Sequence, residues 1–579
     1  MKKYKYEKEL LKDTLLKDGE YKSTKEVFER IAKYQPDAKI LAELDDDNNI
    51  IYHTSSEILE TIEALGDGLL KMGLKGKHIA IIADNSYRYV ICDMTIAGGV
   101  GVVTPIDKDA DIELMSTLLN LCDADAVICS SHLLEKIKLA QKKCSSLKTI
   151  YTIDKKIDDF LSFDEIVKLG KEKINAGKYR SQNLDLNATC KILFTSGTTG
   201  MNKGVELSQN NLAANIINCL DVIKVDTKKD NTSMSILPMH HSTEINTHIM
   251  PRIAAGRLTY INGSMKDMMR NIKIFKPYII TVVPMVANAF YKTIWQQAKK
   301  QGKDKKLKKG IKLCKIARLF GFDLTRKLFG ELFAPFGGNL TQIICGGSSL
   351  NPEVVKGFRD IGVFIINGYG ITECGPLVSM NTETVKEVYS VGKACPKLEI
   401  KIAEPDEFGV GELCVRGKSV SQRYYKDEEG TKMVHDADGF FHTGDLAYKD
   451  KEGRIFLSGR KKNLIILDSG KNVYPEELER DIVNGVNYIK EVVVFEGKCQ
   501  LTRETKNQIC ALIYLDPEAG EINSEKIIED FRKLNQKLPQ YKRITYVEVT
   551  DREFLKNATK KVIRKPAIER HSEIGGLII

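Results

Sequence analysis

Residues 191–205, KILFTSGTTGMNKGV, limit the fold more than any other stretch of the chain. Ile192, Leu193, Phe194 and Thr195 form a β-preferring run that leads into five small residues, Ser196, Gly197, Thr198, Thr199 and Gly200, with Lys203 close behind. Ser208 is placed to cap a helix whose apolar residues Leu212, Ile216, Ile217 and Leu220 recur at helical spacing. The small residues therefore lie between a buried strand and an amphipathic helix. Such a loop can surround an anion with backbone N–H groups and hydroxyls, and its glycines let the chain come close. It is not a P-loop, G-x-x-x-x-G-K-[ST]. Gly197 and Gly200 are only three apart, and Lys203 is followed by Gly204 instead of a hydroxyl. Taken alone, the stretch also fits a Ser/Thr/Gly turn with no ligand.

Strand-like and helix-like segments alternate through most of the sequence. His78–Ile82, Ala126–Cys129 and 341–344 (TQII) read as short buried strands, each with helical periodicity nearby. The pattern predicts an α/β protein with largely parallel sheets. From Gly411 the texture changes to short strands and turns (GELCVRG, DGFFHTGDLAY, KEGRIFLSG), followed by a charged link, RKKN, and a smaller α+β region with a helix near 475–483. A chain of 579 residues is long enough for at least two domains. The boundary is expected around 460–463, giving a large domain 1–460 and a small domain 461–579. No apolar run reaches about 18 residues, so no spanning helix is expected. The N-terminus, MKKYKYEKELLKD, has no apolar signal core. The thirteen cysteines are scattered without a C-x-x-C pair, which suits reduced thiols in a cytoplasmic protein, mostly as small core residues.

The formal net charge of +10 is concentrated in one place. Residues 299–318, KKQGKDKKLKKGIKLCKIAR, carry ten basic residues against the single acid Asp304. One reading is a solvated helical face or loop. The other is a basic surface for anionic lipid or a polyanionic substrate, with Leu313, Ile316, Ala317 and Phe320 as an apolar stripe and peripheral membrane contact through 299–320. Nucleic acid ranks below both, because no aromatic-rich or recognised binding motif accompanies the charge.

Seven motifs follow one another: TSGTTGMNKGV, LPMHHSTE, CGGSSLNPEV, NGYGITECGP, GELCVRG, DGFFHTGDLAY and GRKKNLIILDSGKNVYPEELE. In this order and spacing the chain resembles the adenylate-forming superfamily of acyl-CoA synthetases, peptide-synthetase adenylation domains and luciferases, from about Tyr87 to Lys565. Its texture is most similar to the long-chain fatty acyl-CoA ligases. That rests on His240-His241 with Glu244, on the basic segment followed by FGGNLTQIICGGSSLNPEV, and on the GRKKN link. The resemblance implies a large N-terminal domain of layered β-sheets flanked by helices, with a small distorted β-barrel, and a small mobile C-terminal α+β domain.

It also implies two half-reactions. A fatty acid carboxylate attacks the α-phosphate of ATP to give an acyl-adenylate and pyrophosphate, and the thiol of coenzyme A then displaces AMP. Both steps gather negative charge on oxygens, so donors and cations are needed. By position, Thr195, Ser196, Gly197, Thr198, Thr199, Gly200 and Lys203 would hold the phosphates. Glu373, helped by Thr372 and Thr195, would hold Mg2+, a hard cation suited to oxygen ligands. Asn367 would bond the adenine amino group and Tyr369 would stack on the ring, while Gly346, Gly347 and Gly370 let backbone approach. Asp445 would accept from the ribose hydroxyls, assisted by Arg460, and His241 would sit near the carboxylate and α-phosphate. Lys462 takes the hinge position and Gly470 lies on the face that builds the thiol channel. His240 reads as a packed neighbour. Glu244 reads either as a lining residue of the acyl or CoA channel or as a surface residue.

The family's catalytic lysine falls in Leu555-Lys556-Asn557-Ala558-Thr559-Lys560-Lys561. Aligned on Thr559, the position is Lys561, with Lys560 where Gly is usual, so two adjacent candidates stand. Asn202 replaces a usual Pro, and Arg423 a usual Gly before aromatics. Neither change removes a chemical group, so altered loop stiffness is expected. Alternatives to the CoA ligase reading are the same adenylation with an acyl-carrier-protein thiol as acceptor, an aryl or short-chain acid as substrate, and a catalytically silent nucleotide-binding protein.

Overall fold

Interior parallel strands are covered on both faces and must bury every side chain, so they read as unbroken apolar runs. Ile79, Ala80, Ile81 and Ile82 are all fully buried. The computed structural model describes residues 18–174, 176–196, 202–222, 231–347, 350–381, 387–497, 508–556, 562–570 and 576–579. Gly197, Thr198, Thr199, Gly200, Lys560 and Lys561 lie outside the described residues.

Strands β1 (Lys39–Leu44) and β2 (Ile50–Thr54) pair antiparallel. Next come β3 (His78–Ile82), β4 (Val102–Pro105), β5 (Ala126–Cys129), β6 (Thr149–Thr152), β7 (Thr189–Ser196) and β8 (Asn202–Ser208). These form a six-stranded sheet in the order β6-β5-β3-β4-β7-β8, parallel except for the β7–β8 edge. β9 (Ser233–Ser235), β10 (Thr259–Ile261), β11 (Ile279–Val282), β12 (Gln342–Cys345), β13 (Phe364–Gly370), β14 (Leu377–Met380) and β15 (Lys393–Ala394) follow. With the first pair they build a nine-stranded sheet, β15-β14-β13-β12-β11-β9-β10-β1-β2. β16 (Glu399–Ala403), β17 (Gly411–Arg416), β18 (Phe441–Lys449) and β19 (Ile455–Arg460) make a four-stranded sheet in chain order. β20 (Ile465–Ile466) pairs with β21 (Asn472–Val473), and β22 (Ile489–Gly497), β23 (Gln508–Leu515), β24 (Tyr546–Thr550) and β25 (Gly576–Ile578) form the last sheet.

The chain divides into two compact units. One comprises Met1–Gly346, Glu353–Ile400 and Val415–Phe441; the other comprises Gly347–Pro352, Lys401–Cys414 and His442–Ile579. The second has its own core, in which Val473, Leu478, Ile482, Val494, Ile513 and Phe531 pack together. The twelve described cysteines are all buried and none is in a disulfide with another of them, as expected of small core residues.

The small-residue loop differs from its expected setting. It does not lead straight into a helix, because residues 202–208 form β8 and pair antiparallel with β7, placing Thr195 opposite Lys203. Val205 and Leu207 are fully buried with the acid Glu206 between them, and that apolar–polar alternation in the sequence favours a strand over a loop. The helix Gln209–Val222 begins after it. Ser208 is its cap as expected: its Oγ accepts from Asn211 N at 3.3 Å, and Asn211 Oδ1 accepts from Ser208 N at 2.8 Å. Leu212, Ile216, Ile217 and Leu220 are buried.

Lys191 on β7 is 1% exposed. Its Nζ lies 2.5 Å from Asp93 Oδ1, on the helix Tyr87–Thr95, and 3.3 Å from Asn246 Oδ1, on the π-helical segment Thr243–Ile249. Burial pushes the Asp93 carboxyl above the usual carboxylate range, and the Lys191 charge opposes that shift. Leaving one member of such a pair alone costs about 3–5 kcal/mol, while apolar replacement of both is close to neutral. Lys191→Met or Asp93→Asn should therefore lower unfolding free energy in urea by about 3–5 kcal/mol, and Lys191→Met with Asp93→Leu should recover most of it. Single variants that unfold like the parent would show that the pair does not hold β7.

Candidate functional site

Lys203 reaches out of β8 over the ring of Tyr424, with Nζ 4.6 Å from the centroid, and its Nζ lies 3.6 Å from Asp427 Oδ2. The Tyr424 hydroxyl donates to Glu373 Oε1 at 3.0 Å. The backbone locks this arrangement. Ser421 N donates to Glu373 O at 2.7 Å, Tyr425 N to Gly204 O at 2.7 Å and Glu206 N to Arg423 O at 3.2 Å. Residues 421–425 thus run beside β8, with Val205 and Tyr424 bridged antiparallel. Lys203 and Glu373, which are far apart in the chain, are joined through Tyr424, and Thr195 stands opposite Lys203 across the β7–β8 pair. In the sequence Tyr424 carries no motif of its own and is marked only by the aromatic pair in SQRYYKDEE. Burial and then the Glu373 carboxylate push the Tyr424 hydroxyl far above its ordinary pKa, so it stays a donor at working pH. Arg423, the departure from the family pattern, places Nε 2.9 Å from Glu206 Oε2 and ties the same segment to β8.

Asn367, Tyr369 and Gly370 lie on β13, and Glu373 follows on the short turn Thr372–Cys374. Tyr369 is 8% exposed. Cys345 on β12 faces Asn367, so Gly346 passes close to Gly368; a Cβ on Gly346 would stand 3.2 Å from the Gly368 carbonyl. A Cβ on Gly370 would stand 2.3 Å from the Pro376 carbonyl, which no side chain tolerates. Gly347 has φ 90°, with nothing within 4 Å of the place a Cβ would take.

His241 precedes the π-helical segment, its carbonyl accepting from Glu244 N at 3.2 Å. Glu244 is fully buried and its Oε1 lies 3.0 Å from His248 Nδ1, which removes the surface reading of this residue. His240 packs beside His241 at 5.0 Å between ring centroids, with Nε2 3.9 Å from Asp107 Oδ2. Burial lowers its pKa, partly offset by Asp107 and Asp109, so the ring is neutral at neutral pH.

In the second unit Asp445 and Arg460 are register partners across β18 and β19, with Arg460 Nε 2.8 Å from Asp445 Oδ1. Arg460 Nη1 also donates to the Thr443 carbonyl at 3.2 Å. Lys462 is exposed on the turn Lys461–Asn463; partial burial, then the charges of Arg460 and Arg564, lower its pKa. Gly470, at φ 75°, closes the turn between β20 and β21, its N–H donating to Leu467 O at 2.7 Å. That left-handed backbone is unstrained only for glycine.

Among the described residues no group of three or more His, Cys, Asp or Glu side chains is placed to hold a metal. The Thr195 hydroxyl and the Glu373 carboxylate are each hard oxygen donors, the type of ligand of which Mg2+ typically takes one or two before completing its shell with phosphates and water.

Comparison with known proteins is consistent over both units. Residues 28–425 match the family described as AMP-binding enzyme, and residues 462–574 match the AMP-binding enzyme C-terminal domain. The chain is 28% identical over 456 residues to the mouse (Mus musculus) long-chain-fatty-acid–CoA ligase 6, covering 73% of this chain but only 65% of the mouse protein's length. It is 28% identical over 512 residues to fatty acyl-CoA synthetase B of Dictyostelium discoideum, covering 82% of this chain and 74% of that protein. Among solved structures, the anthranilate CoA ligase AuaEII in complex with anthranoyl-AMP superposes with a TM-score of 0.75 at 18% identity, covering 95% of this chain and 97% of that one.

Tyr424→Phe keeps the ring under Lys203 and removes only the hydroxyl. A hydrogen bond to a charged group contributes about 1.5–3 kcal/mol, so stability should fall by about that much. A thermal unfolding profile equal to the parent's would mean that the hydroxyl does not hold Glu373.

Proposed function

The chain belongs to the AMP-binding enzyme family, and on that premise we propose that it is an AMP-forming fatty acid–CoA ligase. It activates a long-chain carboxylate with ATP, releases pyrophosphate, and passes the acyl group from the adenylate to the thiol of coenzyme A with release of AMP. The observation that carries this reading is the cluster of Thr195, Lys203, Tyr424 and Glu373, set in a chain that matches the family's two segments in order. The names of the mouse and Dictyostelium relatives favour a fatty acid over other carboxylates.

The chemistry asks for charge stabilisation and positioning. Lys203 and the hydroxyls of Thr195, Ser196, Thr198 and Thr199 hold the β- and γ-phosphates, with Gly197 and Gly200 letting the loop close on them. Thr195 and Glu373, assisted by Thr372, would hold Mg2+, which would supply positive charge to neutralise the triphosphate. Tyr424 orients the Glu373 carboxylate, and Asp427 holds Lys203 over the Tyr424 ring. Asn367 bonds the adenine amino group, Tyr369 stacks on the ring, and Gly346, Gly347 and Gly370 keep the backbone narrow beside it. Asp445 accepts from the ribose hydroxyls while Arg460 fixes its carboxylate. His241 lies beside the reacting carboxylate. Lys561 bridges the carboxylate and the α-phosphate, and the small domain, 461–579, turns about Lys462 to present Lys561 for adenylation and the Gly470 face for thiol attack. Exchange of faces by a small domain follows the logic of lid-gated enzymes.

AMP formation with ATP, Mg2+ and coenzyme A should peak among long acids in a series from acetate to stearate and should need the thiol for repeated turnover. Lys561→Ala should lower adenylation by about a hundred- to a thousandfold, the usual cost of losing one transition-state donor, with Lys560→Ala close to the parent. A peak at acetate, turnover indifferent to coenzyme A, or the reverse order of the two lysine variants would count against this assignment.

A further inference from the structure

The basic segment forms a helix, Asp304–Leu319, with two unlike faces. Its inward line is Leu307, Gly310, Cys314 and Arg318. Leu307 and Cys314 are buried, and a Cβ on Gly310 would meet the Phe329 ring at 2.9 Å. Arg318 Nη2 donates to the Arg359 carbonyl at 3.0 Å, and Lys315 pairs with Asp360 at 2.9 Å. These contacts fix which side faces out. Lys305, Lys306, Lys308, Lys309 and Lys312 are exposed, and among the described residues none has an ion-pair partner.

The outward face changes character along its length. Its first half is lysine; its second half is apolar, with Leu313 49% exposed, Ile316 53%, Leu319 84% and Phe320 75%. The helix then ends in a closed turn: Gly321 at φ 81° donates to Arg318 O, and Phe322 N donates to Ala317 O at 3.0 Å. In this type of cap the residue in the place of Phe322 normally packs back on the helix end. Here Phe322 is 65% exposed. Three of the largest apolar side chains, Leu319, Phe320 and Phe322, thus project together from a helix tip. They are held by a defined backbone and are left mostly exposed by the described residues.

We infer that this tip and its lysines dock the protein on an anionic lipid surface, with Leu319, Phe320 and Phe322 entering the headgroup–acyl boundary and Lys305, Lys308, Lys309 and Lys312 lying against lipid phosphates. The charge is complementary to anionic headgroups. An apolar wedge flanked by lysines also matches the shallow depth of interfacial helices, because lysine stems lie along apolar surface while the ammonium stays at the phosphates. An acidic protein or a nucleic acid would answer the lysines but leave three exposed aromatic and aliphatic side chains unused. Among the described residues no helix is long and apolar enough to cross a membrane, so the contact is peripheral. Its use, collecting an acid dissolved in the bilayer, rests on the ligase reading; the docking itself does not.

The test is sedimentation of the full chain with phosphatidylcholine vesicles, with and without phosphatidylglycerol, in the absence of ATP and acid. Failure here therefore leaves the ligase reading untouched, and failure of that reading leaves this one. The parent should bind only the phosphatidylglycerol vesicles, less so as salt rises. Each lysine near such a surface is worth about fivefold in partitioning, so Lys308→Gln/Lys309→Gln/Lys312→Gln should bind about a hundredfold more weakly. Leu319→Ser/Phe320→Ser should lose roughly tenfold or more, while Leu139→Ser, an exposed leucine elsewhere (46%), should bind like the parent. All three variants lie on the surface, and their unfolding midpoints confirm that any loss is local. Absence of parent binding to anionic vesicles, or parent-like binding by either the lysine or the apolar variant, would overturn the proposal.

Discussion

A lysine with almost no contact with water must have its charge answered from within the protein, and Lys191 has that answer from Asp93 and Asn246. The demand is strict because an unpaired charge in this position is costly. Three elements satisfy it together: β7, the helix Tyr87–Thr95 and the π-helical segment that follows His241. β7 leads directly into the small-residue loop, so the edge hairpin that presents this loop is anchored at its base by a polar knot and along its sides by Val205 and Leu207 in the core.

On this base the site is assembled by backbone pairing. Residues 421–425 lie beside β8, and their hydrogen bonds carry Tyr424 to Glu373 and Lys203 at once. Arg423, where the family usually has glycine, adds a charge pair to Glu206 on the same strand.

Much of this is legible in the sequence, for identifiable reasons. Strands β3 and β5 stand out because parallel strands covered on both faces are apolar at every position, and the Ser208 cap stands out because a hydroxyl precedes a helical period. The pairing of Asp445 with Arg460 is legible only through the ordered motifs, since an acid after glycine is by itself a turn residue. β8 is missed because its alternation is short and begins beside glycine-rich sequence, so it reads as the end of a loop. Burial of Glu244 stays open in the sequence because its partner, His248, is one helical turn away, and nothing in a single sequence distinguishes a solvated acid from one hydrogen-bonded in the core. Tyr424 is missed because its role depends on strand pairing across more than two hundred positions, which local pattern does not carry. The lysine-rich helix is legible in composition, but which of its faces turns outward depends on Phe329, Arg359 and Asp360.

On the proposed reading this chain forms a mixed anhydride between a carboxylate and AMP. The most direct measurement is exchange of labelled pyrophosphate into ATP, with Mg2+ and without coenzyme A, in the presence and absence of a long straight-chain acid. Reversible adenylation predicts label in ATP only when the acid is present. Exchange that ignores the acid, or no exchange with any acid while ATP is converted to ADP and phosphate, would contradict the account.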